Sequence, residues 1–312
     1  MLFRSGPNSL RSQTFTFVSE VAGTEDYHLQ STDTGALNNG SGATPKGLFT
    51  DDIDGQTRPT IDLDWDIGAD EYGHKTVINS PTTGYYTSGL VGEWSFNGKD
   101  TNWTSATAGT TNDLSGNNNT GTMTNMSRSS SPKPGISGQA LSFDGVDDYV
   151  NVGTPTGWSN TAGTLSVWVK PDFADDVGTN EGIFTMYTGD TNYLKLYYRG
   201  YTSTWDFYQN HSGETVVSSL LQNFVAGTWI HITTTWNSNG KNIYINGIYQ
   251  NHDATPLSLT IAPCRMGLDG YAGGSSYFNG LIDEVRIYNR ALTAGEIQQL
   301  YQIGARTVKF KQ

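Results

Sequence analysis

Residues 229–250, WIHITTTWNSNGKNIYINGIYQ, combine alternating apolar positions with a tight turn. Successive side chains of a β-strand point to opposite faces, so three apolar residues share one face of the first strand: Ile230, Ile232 and Trp236. Asn246-Gly247 is the dipeptide that a type I′ hairpin turn prefers, because both central residues need a positive φ. We therefore predict half-buried antiparallel strands, with Tyr244 and Tyr249 on neighbouring strands.

The same alternation continues on both sides of this stretch, from about Leu90 to Tyr301. LSVWVK (165–170) and YLKLYY (193–198) each place three apolar residues on one face. Only ALTAGEIQQLYQ (291–302) has helical spacing, and it begins with a T-x-x-E capping box. The pattern predicts an all-β fold: two antiparallel sheets packed face to face, with one short C-terminal helix.

The composition excludes several classes of function. The chain has 312 residues, with 37 Gly, 15% charged residues and a formal charge of -12. Such a charge repels phosphate backbones and anionic lipid, so we expect no nucleic-acid partner. A single cysteine, Cys264, rules out an intrachain disulfide and a cysteine-based zinc site. No apolar run is long enough for a signal peptide or a membrane span, so we expect no membrane insertion.

Changes of pattern divide the chain into four segments. Residues 1–78 are irregular and rich in Gly and Asp, and residues 79–88 have the composition of a linker. Residues 89–304 carry the strand pattern, and residues 305–312 form a tail. Oligomeric state is not indicated by any of these segments.

Several blocks resemble one known family. GLVGEWSFNG (89–98), GQALSFDGVDDYVNVG (138–153), GTLSVWVKP (163–171) and FNGLIDEVRIYNRALTAGEIQQLY (278–301) are similar to the laminin-G-like, concanavalin A-like jelly-roll domain of bacterial surface proteins. The resemblance implies a sandwich of two curved sheets, a role in binding glycans or proteins and in adhesion, and a structural calcium ion. It also implies secretion or display at the cell surface.

The amino-terminal segment has a weaker resemblance of its own. DYHLQSTDTGALNNG (26–40) and DIGADEYG (66–73) look like the closing part of a right-handed parallel β-helix. If so, the chain is a piece of a longer protein, and residues 1–78 are a β-helix remnant that cannot cover its own apolar face.

Asp283 is the first candidate for a metal ligand. In LIDEVRIY it is in phase with the apolar residues, so a regular strand turns its carboxylate inward, where it needs a partner. Calcium is one such partner, and FDGVDD offers Asp144, Asp147 and Asp148 as oxygen donors. Asp113 is a further possible donor, although an Asp/Gly/Asn turn explains it as well. The alternatives for Asp283 are backbone N–H groups of a neighbouring loop, an arginine, or a bulge in the strand.

Aromatic residues are the candidates for a ligand site. Glycan sites stack aromatic rings on the sugar and use polar side chains for its hydroxyl groups. Five aromatic residues in two stretches, 193–211 and 271–278, fit this description: Tyr193, Tyr197, Trp205, Tyr208 and Tyr271. Strand core is the competing explanation for aromatic residues in such stretches.

No catalytic constellation is apparent in the sequence. The sandwich segment lacks two Glu within five residues of each other, and the adjacent Asp283 and Glu284 point to opposite faces. We therefore expect no catalytic residues, and a non-catalytic module that binds a carbohydrate or a surface protein. Two alternatives remain open: a concanavalin A-like glycoside hydrolase or polysaccharide lyase, and a structural spacer of a large adhesin.

Overall fold

The computed structural model describes residues 87–309, apart from residues 176–177, 190, 212, 221–222, 260–262 and 271–275, and four short strands nearer the amino terminus. The chain divides into two compact units, Met1–Tyr85 and Tyr86–Gln312. In the first unit, β1 (Phe17–Ser19) pairs antiparallel with β2 (Asp26–Leu29), and β3 (Gly40–Ser41) pairs antiparallel with β4 (Asp64–Trp65). These four strands do not show the predicted parallel β-helix end, whose other residues lie outside the described ones, so it stays a prediction.

The described residues of the second unit form seventeen strands and one helix. The strands are β5 (Leu90–Trp94), β6 (Thr101–Trp103), β7 (Ala108–Thr111), β8 (Gly121–Thr124), β9 (Pro132–Pro134), β10 (Gln139–Asp144), β11 (Tyr149–Gly153), β12 (Gly163–Pro171), β13 (Asn180–Gly189), β14 (Asn192–Arg199), β15 (Thr204–His211), β16 (Glu214–Ser218), β17 (Ile230–Asn237), β18 (Gly240–Ile245), β19 (Ile248–Asp253), β20 (Cys264–Met266) and β21 (Asn279–Tyr288). The helix, α1, is Ala294–Lys309.

The strands of this unit form two antiparallel sheets. The eight-stranded sheet has the order β19-β18-β17-β12-β21-β10-β9, with β5 also paired to β21. The nine-stranded sheet has the order β16-β15-β14-β13-β20-β11-β8-β7-β6. The predicted all-β sandwich with one C-terminal helix is therefore confirmed.

Between the two sheets lies a core rich in aromatic side chains. Trp94, Trp205 and Trp236 are fully buried, and the ring of Trp236 packs 5.9 Å from that of Phe207 across the sandwich. The predicted alternation is confirmed in all three quoted strands, since these residues belong to the core: Leu165, Val167, Val169, Leu194, Leu196, Tyr198, Ile230, Ile232 and Trp236.

The predicted hairpin joins β18 to β19. Asn246 and Gly247 both have a positive φ, of 51° and 76°, and Tyr244 pairs with Tyr249. The two tyrosine rings lie 5.6 Å apart, edge to face. The Asn-Gly dipeptide therefore sets the register of this edge, as predicted.

Helix α1 covers the outer side of the eight-stranded sheet. The capping box is formed as predicted, because Thr293 N–H donates to Glu296 Oε2 at 2.8 Å and Glu296 N–H donates to Thr293 Oγ1 at 3.3 Å. Tyr301 stacks on Trp168 at 5.7 Å, and Gly304 leaves the room that this indole ring occupies. The helix continues to Lys309, into residues that the sequence assigned to a tail. In the described part of the chain, no helix is both long enough and apolar enough to cross a bilayer.

Candidate functional site

The face of the nine-stranded sheet that points away from the core, called here the outer face, carries a cluster of tyrosines. Because Leu194, Leu196 and Tyr198 of β14 belong to the core, the residues between them point the other way. The same argument holds for β15, where Trp205 and Phe207 are in the core. Tyr193, Lys195, Tyr197 and Tyr208 therefore share the outer face.

Lys195 lies at the centre of this tyrosine cluster. Its Nζ is 4.3 Å from the ring centroid of Tyr197, 5.3 Å from that of Tyr208 and 5.7 Å from that of Tyr193. The same atom is 3.3 Å from Asp269 Oδ2. A cation over aromatic faces is attracted by the ring quadrupoles, so one lysine fixes three rings.

Tyr197 is the buried member of the cluster. Only 3% of its surface is exposed, and its hydroxyl oxygen accepts hydrogen bonds from Arg199 Nε at 2.9 Å and Nη2 at 2.6 Å. Arg199 also pairs with the fully buried Asp206 at 2.7 Å. Burial and the carboxylate of Asp206 raise the pKa of Tyr197 to about 12. Its ring is not available for sugar stacking, which corrects that part of the prediction.

Tyr193 and Tyr208 are the partly exposed members of the cluster. Their rings are stacked, with centroids 5.7 Å apart and planes 14° apart, and Tyr187 of β13 adds a third ring 6.1 Å from Tyr193. Burial, with hydrogen bonds to Glu214 and Tyr193, raises the pKa of Tyr208, so its hydroxyl stays protonated at neutral pH. The pair places two partly exposed aromatic rings on the outer face.

Two other predicted ligand-binding residues do not join this cluster. Trp205 is 0% exposed and packs against Tyr198 at 4.8 Å inside the sandwich, so its prediction as a ligand contact is wrong. Tyr271 lies outside the described residues, and its role stays a prediction.

Three outer-face residues were missed in the sequence: Tyr187, Lys195 and Arg265. Lys195 stands between Tyr193 and Tyr197 in the same alternating phase, so the pattern contained its signal. Tyr187 and Arg265 reach the site only through strand pairing, in which Tyr187 faces Tyr193 and Arg265 faces Thr185.

The loop from β10 to β11 gathers three of the acidic residues. Asp144, Asp147 and Asp148 each offer a carboxylate oxygen, and these oxygens lie within 4.8 Å of one another. Calcium binds oxygen at 2.3–2.6 Å, so oxygens at about this spacing fit around one ion. Burial, with the charges of Asp144 and Asp147, raises the pKa of Asp148 to about 6.

The other two predicted metal ligands are engaged elsewhere. Asp283 is fully buried, and Oδ2 accepts N–H donors of Ile136 at 2.9 Å and Ser137 at 3.2 Å, while Oδ1 accepts that of Glu284 at 2.8 Å. Glu284 has a φ of 50° beside a register shift, so β21 is bulged at this point. Asp283 therefore does not follow the alternation with the apolar residues that the sequence predicted. Asp283 is thus separated from Asp144 and Asp147, although the sequence predicted that all three bind one metal ion.

Asp113 holds a turn. Its Oδ1 accepts the backbone N–H groups of Glu93 at 3.0 Å and Ser115 at 2.9 Å, and its Oδ2 accepts that of Asn119 at 2.9 Å. These bonds tie the loop after β7 to strand β5. Asp113 is therefore not part of the group formed by Asp144, Asp147 and Asp148, and its predicted metal role is corrected to a structural one.

The chain is similar to one known family and to several solved structures. A laminin G-type family model, described as the concanavalin A-like lectin/glucanases superfamily, matches residues 144–298. The comparison with curated proteins gave no match. Domain 4 of AbnA, an extracellular arabinanase from Geobacillus stearothermophilus solved in complex with arabinotriose, superposes with a TM-score of 0.54 at 22% identity, over 68% of this chain and 98% of that domain.

Two larger proteins share the same architecture. The receptor-binding domain of a botulinum neurotoxin mosaic serotype C/D matches with a TM-score of 0.52 at 14% identity, over 70% of this chain and 51% of that one. A Trypanosoma rangeli sialidase mutant matches with a TM-score of 0.51 at 15% identity, over 69% of this chain and 33% of that one. The two-sheet fold of the second unit is that of a concanavalin A-like jelly roll, and the family model matches residues within this unit.

Proposed function

We propose that this chain is a non-catalytic, extracellular carbohydrate-binding module whose ligand lies on the outer face of the nine-stranded sheet. The observation that carries the proposal is the stacked, partly exposed pair Tyr193 and Tyr208, held in place by Lys195. Aromatic rings fixed before the ligand arrives bind sugars without a large entropy cost.

The similar structures support a carbohydrate and an extracellular location. The arabinanase domain was solved with arabinotriose, and that enzyme is extracellular. The toxin domain binds a receptor. A glycan ligand is favoured over a protein because the outer face presents polar aromatic rings and hydroxyl groups.

The state of the acidic residues supports binding without catalysis. Of the described carboxylates near the tyrosine cluster, Asp206 pairs with Arg199 at 2.7 Å, Asp269 pairs with Lys195 at 3.3 Å, and Glu214 forms a hydrogen bond with Tyr208. Glu181 accepts hydrogen bonds from Thr179 Oγ1 at 3.1 Å and the Asn279 N–H at 3.2 Å. Carboxylates held by such partners are poorly placed to exchange protons with a glycosidic bond.

Binding by the outer face is tested with Tyr208→Ala. We expect this change to weaken binding of an oligosaccharide, identified on a glycan array, by at least about tenfold, because truncation of an aromatic contact removes a large share of the binding energy. Isothermal titration calorimetry measures the affinity. The matched control is Tyr249→Ala, which removes a 53% exposed tyrosine from the edge of the other sheet. Equal losses in the two variants, or cleavage of the bound sugar, would contradict the proposal.

The proposal includes a structural calcium ion held by Asp144, Asp147 and Asp148. Calcium at a hundredfold excess over Kd stabilises a native state by about 2.7 kcal/mol, and we expect the melting temperature to rise by about 5–10 °C relative to chelator. Asp147→Asn should remove most of this rise, whereas Asp172→Asn, a change at an exposed aspartate outside the group, should preserve it. Identical melting of the unaltered chain with calcium and with chelator would exclude the ion.

A further inference from the structure

Arg265 is the one cation of the nine-stranded sheet without an ion-pair partner among the described residues. The nine strands contain three cationic side chains, of which Lys195 pairs with Asp269 and Arg199 pairs with Asp206. Both charges are therefore balanced within the fold. The charge of Arg265 has no such partner among the described residues.

The side chain of Arg265 also points to the outer face. Its neighbours in β20, Cys264 and Met266, are both in the core, so Arg265 projects from the opposite side. It faces Asn151 of β11 and Thr185 of β13, and Thr185 in turn faces Lys195.

One row of paired residues crosses the sheet and connects Arg265 with the tyrosine cluster. The row runs Asn151, Arg265, Thr185, Lys195, Tyr208. Arg265 and Tyr208 are three strand spacings apart, about 14 Å at the backbone. An extended oligosaccharide spans this separation, and a monosaccharide does not.

Two N–H donors of Arg265 are unused. Nε and Nη1 are both buried and have no hydrogen-bond partner, although the residue as a whole is partly exposed. A buried donor on a charged group without an acceptor is costly, so such a group needs an acceptor from outside the described residues. The planar guanidinium matches a carboxylate, which accepts two parallel hydrogen bonds from its Nε–Nη2 or its Nη1–Nη2 edge once the partly exposed side chain turns towards the ligand.

We propose that the ligand of the outer face is an acidic oligosaccharide, with the carboxylate of a uronic acid on Arg265 and a sugar ring on Tyr193 and Tyr208. This inference rests on the proposed carbohydrate-binding function and names its ligand class. Arg265 supplies the charge selectivity, and the tyrosines supply affinity for the ring.

The test compares oligosaccharides of galacturonic and glucuronic acid with the same oligosaccharides after methyl esterification, which removes the charge and keeps the sugar. We expect the chain to bind the acids at least about tenfold more tightly than the esters, the amount that a charge-assisted hydrogen bond contributes. Arg265→Gln should lower the affinity for the acids to about that for the esters, and should change the affinity for the esters much less. The matched control is Arg128→Gln, at an exposed arginine of the loop between β8 and β9.

The outcomes distinguish a failure of this inference from a failure of the carbohydrate-binding function on which it rests. Equal affinity of the unaltered chain for acids and esters overturns the inference, and this comparison does not depend on the folding of any variant. Tight binding of neutral glycans without binding of the acids also overturns it, while the carbohydrate-binding function survives. Failure to bind any glycan overturns both.

Discussion

Replacing Asp283 with alanine is expected to lower the free energy of unfolding by about 3 kcal/mol or more. The carboxylate accepts three backbone N–H groups, from Ile136, Ser137 and Glu284, and each loses its acceptor in the interior. Burial and the neighbouring carboxylate of Glu284 raise the pKa of Asp283, while these three donors oppose the rise. The loop approaches this closely because Gly135 has no side chain, since a Cβ there would lie 2.4 Å from Asp283 Oδ2.

Chemical denaturation, with and without calcium, measures this effect. We expect the same loss in both conditions, because the partners of Asp283 are backbone groups and not an ion. Asp283→Asn keeps one oxygen acceptor and should lose less than Asp283→Ala. A loss that appears only when calcium is present would show that the aspartate acts through the metal and would refute this assignment.

Acidification is expected to destabilise the fold through His231. This side chain is 1% exposed, and Ser166 Oγ lies 2.8 Å from its Nε2. Burial, together with the charge of Arg286, lowers the pKa of His231 to about 3. The rings of Trp168 and Tyr301 pack on it at 4.9 Å and 6.1 Å, so the imidazole is held neutral between β17 and helix α1.

The direction of this pH effect on stability follows from proton binding at His231. Between pH 6.5 and about 3 the unfolded chain binds a proton at His231 and the native chain does not. The contribution of His231 to stability is therefore complete above pH 6.5 and falls by about 1.4 kcal/mol per pH unit as the pH drops towards 3.

The difference in unfolding free energy between the unaltered chain and His231→Gln isolates this contribution, because other titrating groups are common to both. Denaturation at a series of pH values should give a difference that shifts in favour of the glutamine variant as the pH falls below 6.5. A difference that does not change with pH would mean that His231 is protonated or exposed in the native state.

Local patterns in the sequence were sufficient to predict the β-sandwich fold. Alternation alone placed Leu194, Leu196 and Tyr198 in the core, and the Asn246-Gly247 turn set the register of its hairpin. These features depend on residues close in sequence, where side-chain direction and turn chemistry follow from residue type.

The candidate site depends on pairing between strands that are distant in sequence. No local sequence pattern indicates which of these strands pair. Trp205 was predicted as a ligand contact because it lies among tyrosines, but its register with Tyr198 turns it into the core. Arg265 reaches the outer-face row only because β20 pairs with β13, about eighty positions earlier. The bulge at Glu284, which changes the surroundings of Asp283, likewise has no marker in residue type.

A crystal structure of the full chain with a bound oligosaccharide tests the central claim most directly. We predict that the sugar lies on the outer face of the nine-stranded sheet, with a ring against Tyr193 and Tyr208. An oligosaccharide bound to the eight-stranded sheet or to the connecting loops, with both tyrosines free of contact, would contradict the proposed site.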